Sequence, residues 1–414
     1  MSIGLFEEIE LQQYIGDNTL CNIAPIKTSN IVLTSNVIKD EYTTYIEDHF
    51  DLKVEDTCKV EIPNKIKLDK LKKWNIGIVC GASGSGKSTI LKNIGNGCIS
   101  TASFDNSKTL ISNFNPIEPK DAAEILSSMG LASVPAWIRP YNVLSNGEKY
   151  RAELAKIVAE SKDEIILIDE YTSVVDRNVA KAMSNALQKY IRKHNKQIIL
   201  ATCHYDIFEW LRPDWIYDLN KGGVLEECDY LRRQRPNIEL QVFRTTIDTW
   251  DMFKKHHYMT EDLNKSCSCF VFTWNKKVVG FYSLLPLPSG TIQNAYRGHR
   301  LVILPDFQGF GLGGKISEFM GGILKNNNKV LYTKTVNPAL GWYREKSKNW
   351  EGTPRNKKGM REDEFSDSIL GGKTRVSFCH KYVGEPIEGY DSLLKPIDNI
   401  RQDIYNKYQL KFEL

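Results

Sequence analysis

Trp74-Asn-Ile-Gly-Ile-Val-Cys-Gly81-Ala-Ser-Gly-Ser-Gly86-Lys87-Ser88-Thr89 is the stretch on which the reading of this chain turns. Ile76, Ile78 and Val79 form an apolar run of the length of a buried strand. The run enters Gly81, Ser83, Gly84, Ser85, Gly86, Lys87, Ser88 and Thr89, which fit the pattern GxxxxGK[ST], and Thr89–Asn93 reads as the opening of a helix. Glycines at these spacings let backbone N–H groups curl around a triphosphate. Lys87 then reaches the outer phosphates, the Ser88 hydroxyl can ligate Mg²⁺, and the helix N-terminus adds its dipole.

A chain of 414 residues predicts two or three domains. With 41% hydrophobic and 26% charged residues it can bury a core. No apolar run reaches the ~18 residues of a membrane span, and the start MSIGLFEEIELQQ is acidic, unlike a basic leader. Nine cysteines at irregular spacing fit reduced thiols and a cytoplasmic location. Cys267 and Cys269 read as strand neighbours sooner than as half a metal site, because no second cluster accompanies them. The net charge of +4 hides an asymmetry. Residues 230–414 carry 29 Lys and Arg against 19 Asp and Glu, while residues 1–229 carry 26 against 32. A basic second half suits an anionic partner there, a nucleic acid or a phosphorylated cofactor.

Downstream of the glycine turn, helix is expected around Lys120–Met129. Then come Leu144-Ser145-Asn-Gly147-Glu148, a helical run over Lys149–Ser161, and the apolar strand Glu164–Ile168 ending in Asp169 and Glu170. Thr172–Asp176 precedes a helix from about Asn178 to His194, and a strand over Gln197–Ala201 delivers His204. This ordered series resembles the ATP-binding-cassette (ABC) ATPases over roughly residues 60–225. The resemblance implies that Asp169 holds Mg²⁺ with Ser88, that Glu170 is the general base for the attacking water, and that His204 senses the γ-phosphate. It further implies that Ser145 and Gly147 form the signature loop that binds ATP held by an opposite protomer, and that Asp176 faces that protomer in a head-to-tail homodimer. Phosphoryl transfer needs this combination of metal, positioned water and donors around spreading negative charge. Two departures stand out. No Gln occurs between Thr89 and Leu144, leaving Asn113, Asn115 or Glu118 as substitutes for the family's glutamine loop, and the spacing from Lys87 to Ser145 is short for a transporter ATPase.

Beyond a basic linker over residues 226–237, the pattern predicts strand Ile238–Arg244, helix Ile247–His257, and strands Cys269–Trp274 and Lys277–Leu285. A central strand next to His299, helix Gly314–Leu324, strand Lys329–Thr335 and a last strand Thr374–His380 follow. Between strand and helix lie Gln308, Gly309, Gly311 and Gly313, a second glycine turn able to bring amides to a pyrophosphate. The order of elements and this turn resemble the GNAT acetyltransferases and their acyl-CoA loop. That resemblance implies acetyl-CoA as cofactor and, after Asn337, an aromatic residue that protonates the departing thiolate. Tyr343 matches best, with Trp342 as the other occupant of that place, and His299 is the first choice of general base. Orienting an amine against a thioester and removing a proton is all the chemistry required. Lys346–Arg361 interleaves positive charge with Trp350, a composition suited to phosphate contacts and base stacking.

The expected architecture is therefore α/β: a 1–59 extension, a P-loop ABC ATPase domain over 60–225, the linker, a GNAT α+β domain over 238–385, and a 386–414 tail. Together the halves resemble the ABC-type ATPases fused to a predicted acetyltransferase domain found in archaea, bacteria and phages. The functional expectation is an ATP-driven module coupled to an acyl-CoA-dependent N-acyltransferase that acts on a nucleic acid. A protein lysine or small amine as acceptor, or an acyl-CoA-sensing regulatory protein, are the alternatives.

Overall fold

A computed structural model describes residues 29–50, 52–161, 165–228, 236–257, 262–288, 292–357 and 377–395, with the backbone alone for 410–413. The described residues open on an antiparallel pair, β1 (Ile31–Asn36) and β2 (Thr57–Ile62), with α1 (Glu41–Phe50) between them in sequence. Sequence spacing predicts helix from Asn36, but Asn36 pairs with Thr57 in the strand ladder. The Asp40 carboxylate accepts from the amides of Tyr42 and Thr43 at 3.1 and 2.9 Å, so the helix starts only after that cap.

The first sheet is built from β3 (Ile76–Cys80), β4 (Ile166–Ile168), β5 (Ile198–Thr202), β6 (Trp215–Asp218) and β7 (Val224–Glu227), in the order β4-β5-β3-β6-β7. Its first four strands run parallel, and β7 returns antiparallel to β6. Helices α2 (Lys87–Ile94), α3 (Pro119–Ser128), α4 (Val134–Trp137), α5 (Asn146–Glu160), α6 (Arg177–Lys193) and α7 (Phe208–Leu211) accompany it. All five residues of β3 are buried, as expected of a strand covered on both faces. Parallel strands deliver their C-terminal ends to one edge, which is where loops that bind ligands gather.

The second sheet is mixed and eight-stranded. In chain order it contains β8 (Glu239–Thr245), β9 (Ser268–Trp274), β10 (Lys277–Pro286), β11 (Ala295–Ile303), β12 (Val330–Thr335), β13 (Trp350–Gly352), β14 (Phe378–Tyr382) and β15 (Leu410–Glu413). Across the sheet the order is β13-β14-β12-β11-β10-β9-β8-β15. Helix α8 (Leu312–Asn326) packs on it, and α9 (Pro338–Lys346) follows β12. The helix expected over Ile247–His257 is instead two 3₁₀ turns, Ile247–Met252 and Lys254–His256. Trp250 and Phe253 are the buried residues of this stretch, three apart, a spacing that suits three residues per turn.

Each sheet has its own core, and the two halves meet in an apolar seam. Ala182 of α6 and Trp210 of α7 lie in one apolar cluster with Phe307, Phe310 and Leu312. The Trp210 and Phe310 rings meet edge-on with centroids 4.9 Å apart. Among the described residues no helix is long and apolar enough to cross a membrane, and no cluster of acidic, histidine or cysteine side chains forms a metal site.

Candidate functional sites

At the end of β3 the chain turns through Gly81–Gly86 into α2, with Gly86 as N-cap at φ 94°. Only glycine takes that left-handed conformation without strain, and it aims the first amides of α2 into the turn. Gly84, at φ 77°, would meet nothing within 4 Å if it carried a Cβ, so the turn is open beside it. The Lys87 ammonium donates to the carbonyls of Gly81 and Ala82 at 3.0 and 2.6 Å, across the mouth of the loop. The Ser85 hydroxyl is buried with no hydrogen-bond partner among the described residues. Exposed Ser83 and Ser88 and half-buried Thr89 complete the turn. The first amides of α2, a lysine and a buried hydroxyl fit a polyphosphate, and the Ser88 hydroxyl with the Asp169 carboxylate are the hard oxygen donors Mg²⁺ prefers.

Strand order places β5 between β3 and β4, so His204 leaves the sheet between the turn and the Asp169–Glu170 pair. Asp169 accepts from the Glu170 amide at 2.8 Å, and Glu170 is exposed. Glu170 and Thr172 both have left-handed φ, 48° and 70°. For a β-branched threonine that is a strained conformation of the sort found where geometry serves a site. His204 Nδ1 lies 3.0 Å from Thr172 Oγ1, and partial burial followed by the neighbouring Arg177 charge lowers the imidazole's pKa.

Ser145 caps α5 in a reciprocal box: its hydroxyl accepts from the Glu148 amide at 3.3 Å while Glu148 accepts from the Ser145 amide at 2.9 Å. Ser145 is exposed, Gly147 has only Val175 within 4 Å of a notional Cβ, and Asp176 caps α6 by accepting from the Asn178 amide at 2.9 Å. Of the substitutes for the glutamine loop, Asn113 is ruled out by its own bonding. It is buried, its Oδ1 accepts from the Asp105 amide at 2.7 Å, and its Nδ2 donates to the Asp105 and Thr109 carbonyls. Asn115 and Glu118 stay exposed.

The second glycine turn borders a cleft. Strands β11 and β12 pair in parallel only from Ala295 with Val330 to Gly298 with Thr333. Beyond that point β11 continues beside β10 and β12 beside β14, so the two diverge. Opposite β10 the register jumps from Arg300 to Gly298, leaving His299 as the extra residue of a bulge at the point of divergence. The resulting cavity of about 350 Å³ is lined by His299, Arg300, Gln308, Gly309, Gly311, Gly313, Thr333, Asn337 and Tyr343, among others. Helix α8 begins at this cavity, with Gly311 as N-cap at φ 84° and nothing within 4 Å of a notional Cβ. The helix N-terminus therefore borders the cavity with open space beside Gly311, the arrangement that suits a pyrophosphate.

Of the two aromatic candidates after Asn337, Tyr343 lines the cavity and its ring lies against Gly314, where a Cβ would sit 2.5 Å away. Trp342 is 45% exposed, with the Lys357 ammonium over its ring. Trp350, expected as a base-stacking surface, is a core residue instead. It is 7% exposed, edge-on to Tyr382, with the Arg344 guanidinium over its face. The segment expected to bind nucleic acid runs on to Arg361, and residues 358–361 of it lie outside the described residues, as do 374–376 of the last expected strand. Cys267 and Cys269 sulfurs lie 3.5 Å apart with no other ligand-type group assembled around them among the described residues.

Sequence reasoning missed the role of Gln308 and Gly309. Gln308 uses its side chain to tie the halves together: Oε1 accepts from the Ala132 amide at 3.0 Å and Nε2 donates to the Ile303 carbonyl at 2.9 Å. The Gly309 carbonyl accepts from Asn185 Nδ2 at 2.9 Å, and a Cβ on Gly309 would fall 2.8 Å from the Ala182 carbonyl. Arg151, buried on α5, donates to the Pro305 carbonyl at 3.2 Å. The pair Ala182 and Ala186, four apart on α6 with Asn185 between, was the available signal of a close backbone approach.

No protein-family model matches the chain. The energy-coupling factor transporter ATP-binding protein EcfA1 of Staphylococcus aureus is 33% identical over 86 residues, as shown for strains USA300 and NCTC 8325. That stretch is 21% of this chain, which spans 31% of the relative's length. The chain resembles ATP-binding cassette proteins over part of its length. Similar solved structures include a dimeric ATP-binding cassette in a post-hydrolysis state bound to ADP and Pi. It has a TM-score of 0.33 and 20% identity, covering 42% of this chain and 94% of that one. Another is cbiO1 from Clostridium perfringens, part of an ABC transporter complex, with TM-score 0.28 and 17% identity, covering 39% and 76%.

Proposed function

We propose that this protein is an ATP-binding and ATP-hydrolysing module joined to an acyl-CoA-dependent N-acyltransferase whose acceptor is part of a nucleic acid. For the first activity the alignment of three strand ends is the supporting observation. Gly81–Thr89, His204 and Asp169–Glu170 stand side by side at one sheet edge. There Lys87 and the loop amides bind the phosphates, Ser88 and Asp169 hold Mg²⁺, Glu170 orients and deprotonates water, and His204 reads the terminal phosphate. Mg²⁺, when bound, neutralises charge between the phosphates. Ser145, Gly147 and Asp176 complete the site of a second copy in a head-to-tail dimer, and the exposure of Ser145 beside exposed Val143 and Val174 supports that role.

For the second activity the carrying observation is the cleft between β11 and β12 faced by the N-terminus of α8. The amides after Gly311 would hold the pyrophosphate of the thioester carrier, which would supply the acyl group to the cleft that His299 lines. Tyr343 supplies a proton to the leaving sulfur, and His299 accepts one from the acceptor nitrogen. The basic excess of residues 230–414 supports an anionic acceptor. The core shared by α6, α7 and the Phe307–Leu312 segment supports mechanical coupling of the two activities.

Two substitutions test the halves separately. Glu170→Gln is expected to trap an ATP-bound dimer by size-exclusion chromatography, and a persistent monomer with ATP rejects the cassette reading. Gly311→Glu places a carboxylate where the pyrophosphate sits. It should abolish acetyl-CoA binding in calorimetry with ATP turnover intact, so retained affinity discredits the second site.

A further inference from the structure

The cleft has two chemically distinct ends. One is the amide-rich turn at Gly311–Gly314, beside Leu301 and Ile303; the other, four residues back from the end of β11, is the His299 bulge. Around that bulge gather His257, from the segment after the second 3₁₀ turn, and Arg300, both lining the cavity. Arg300 is fixed there: its amide donates to Ser283 Oγ at 3.0 Å and its guanidinium to the carbonyls of His299 and Asp262 at 3.4 and 3.1 Å. Lys334 and Arg344 line the cavity elsewhere, and none of the described lining residues is an aspartate or glutamate. Glu148 and Asp306 lie close enough to act on His256, and Asp262 meets Arg300 through its backbone carbonyl.

An alkyl ammonium acceptor, such as a lysine side chain or polyamine, needs a carboxylate to offset its charge and a base strong enough to discharge it. This end of the cleft supplies the reverse, a fixed guanidinium and imidazoles. Burial, followed by the Arg300 charge, pushes the His257 and His299 pKa values down to about 4, so both are neutral at pH 7. Such weak bases match a nitrogen that is uncharged before it attacks and acidic only once bonded to the acyl carbon. The flat faces of imidazole and guanidinium are also the surfaces on which nucleobases stack.

We infer that Arg300, with His257 and His299, is an acceptor-selecting cluster, and that the acceptor nitrogen is the uncharged exocyclic amine of a nucleobase carried on a phosphate-bearing scaffold. The inference rests on the acyl-CoA reading of the cleft. In the transfer the amine nitrogen forms a bond to the thioester carbonyl carbon as the carbon–sulfur bond breaks. The nitrogen's proton goes to His299, the sulfur takes one from Tyr343, and both groups re-equilibrate with water. The products are an amide and free CoA thiol, with no net redox change.

The test uses the full chain and radiolabelled acetyl-CoA with three acceptors: a single-stranded oligonucleotide containing cytosine and adenine, free CMP and AMP, and a lysine peptide with spermidine. Acetyl-CoA binding is measured in parallel by calorimetry. Label should enter the oligonucleotide or the mononucleotides with kcat/KM at least about 100-fold above the alkyl amines, and the first two arms tell a polymer from a free nucleotide. Arg300→Glu should weaken oligonucleotide binding in fluorescence anisotropy by about tenfold or more, with Arg300→Gln intermediate. Labelled peptide or spermidine, or unchanged oligonucleotide binding in both variants, overturns the inference. Absence of acetyl-CoA binding by the unmodified protein instead overturns the acyl-CoA reading beneath it.

Discussion

The two glycine turns use the same backbone device in opposite settings. Each follows a strand, each ends in a left-handed glycine that caps a helix, Gly86 and Gly311, and each leaves room beside a glycine for a ligand to approach. The first carries its own charge in Lys87 and rests on its own half of the molecule, with Ile62 and Leu219 against its glycines. The second has no cation within it, and its leading residues are held by α6 and the segment around Ala132 in the other half. A self-contained turn is specified by a local string; a borrowed one is specified by two distant surfaces at once.

That contrast orders the expected effects of mutation. Lys87→Ala should reduce ATP turnover by about 100-fold or more, as loss of a charge aimed at developing negative charge does. Acetyl-CoA binding should be unaltered, and a parallel loss there would show that the turns are not independent at rest. Gly309→Val drives side-chain atoms into the Ala182 carbonyl and should cost about 1–3 kcal/mol of interface stability. Its readout is a weakened acetyl-CoA affinity and an earlier thermal transition of the second half; equal loss of ATP turnover would mean that the first turn leans on the second. Gln308→Ala removes both arms of its bridge at an expected cost of about 1–3 kcal/mol, measured by denaturant midpoint. Indifference there would make Gly309 alone the bearing.

The smallest effect is on pH. His257 and His299 have folded values near 4 against an ordinary 6.5. The unfolded chain therefore binds more protons between those values, so their contribution is complete above pH 6.5 and is lost as pH falls toward 4. Both are half-buried, so solvent screening keeps the effect modest. Thermal midpoints from pH 7 to 4.5 should fall less steeply in His299→Gln, and an unchanged slope would leave the imidazole without influence on stability.

How much was readable follows from the same contrast. The α/β class, β3 with its turn, the Asp169–Glu170 strand, and the helices over α3, α5 and α6 could be read because each is announced by a contiguous pattern. Strand β6 was missed because its aromatic residues, Trp215 and Tyr217, give no alternation when both faces are buried. Trp350 was misjudged because its basic neighbours in sequence say nothing of Tyr382 and Arg344 packed on its two sides. The 3₁₀ turns over Ile247–His256 share their apolar spacing with an α-helix over so short a stretch. Gln308 was read for its place in a glycine pattern, while its side chain serves a partner 176 residues away.

The packing of Gly309 on α6 bears on how the molecule could be taken apart. If the chain were cut between Cys228 and Pro236, each fragment would expose half of a buried apolar seam: Ala182 and Trp210 on one, Phe307 and Phe310 on the other. Co-expressed fragments should therefore find each other and co-purify. The peptide connection would then act chiefly to raise their effective concentration.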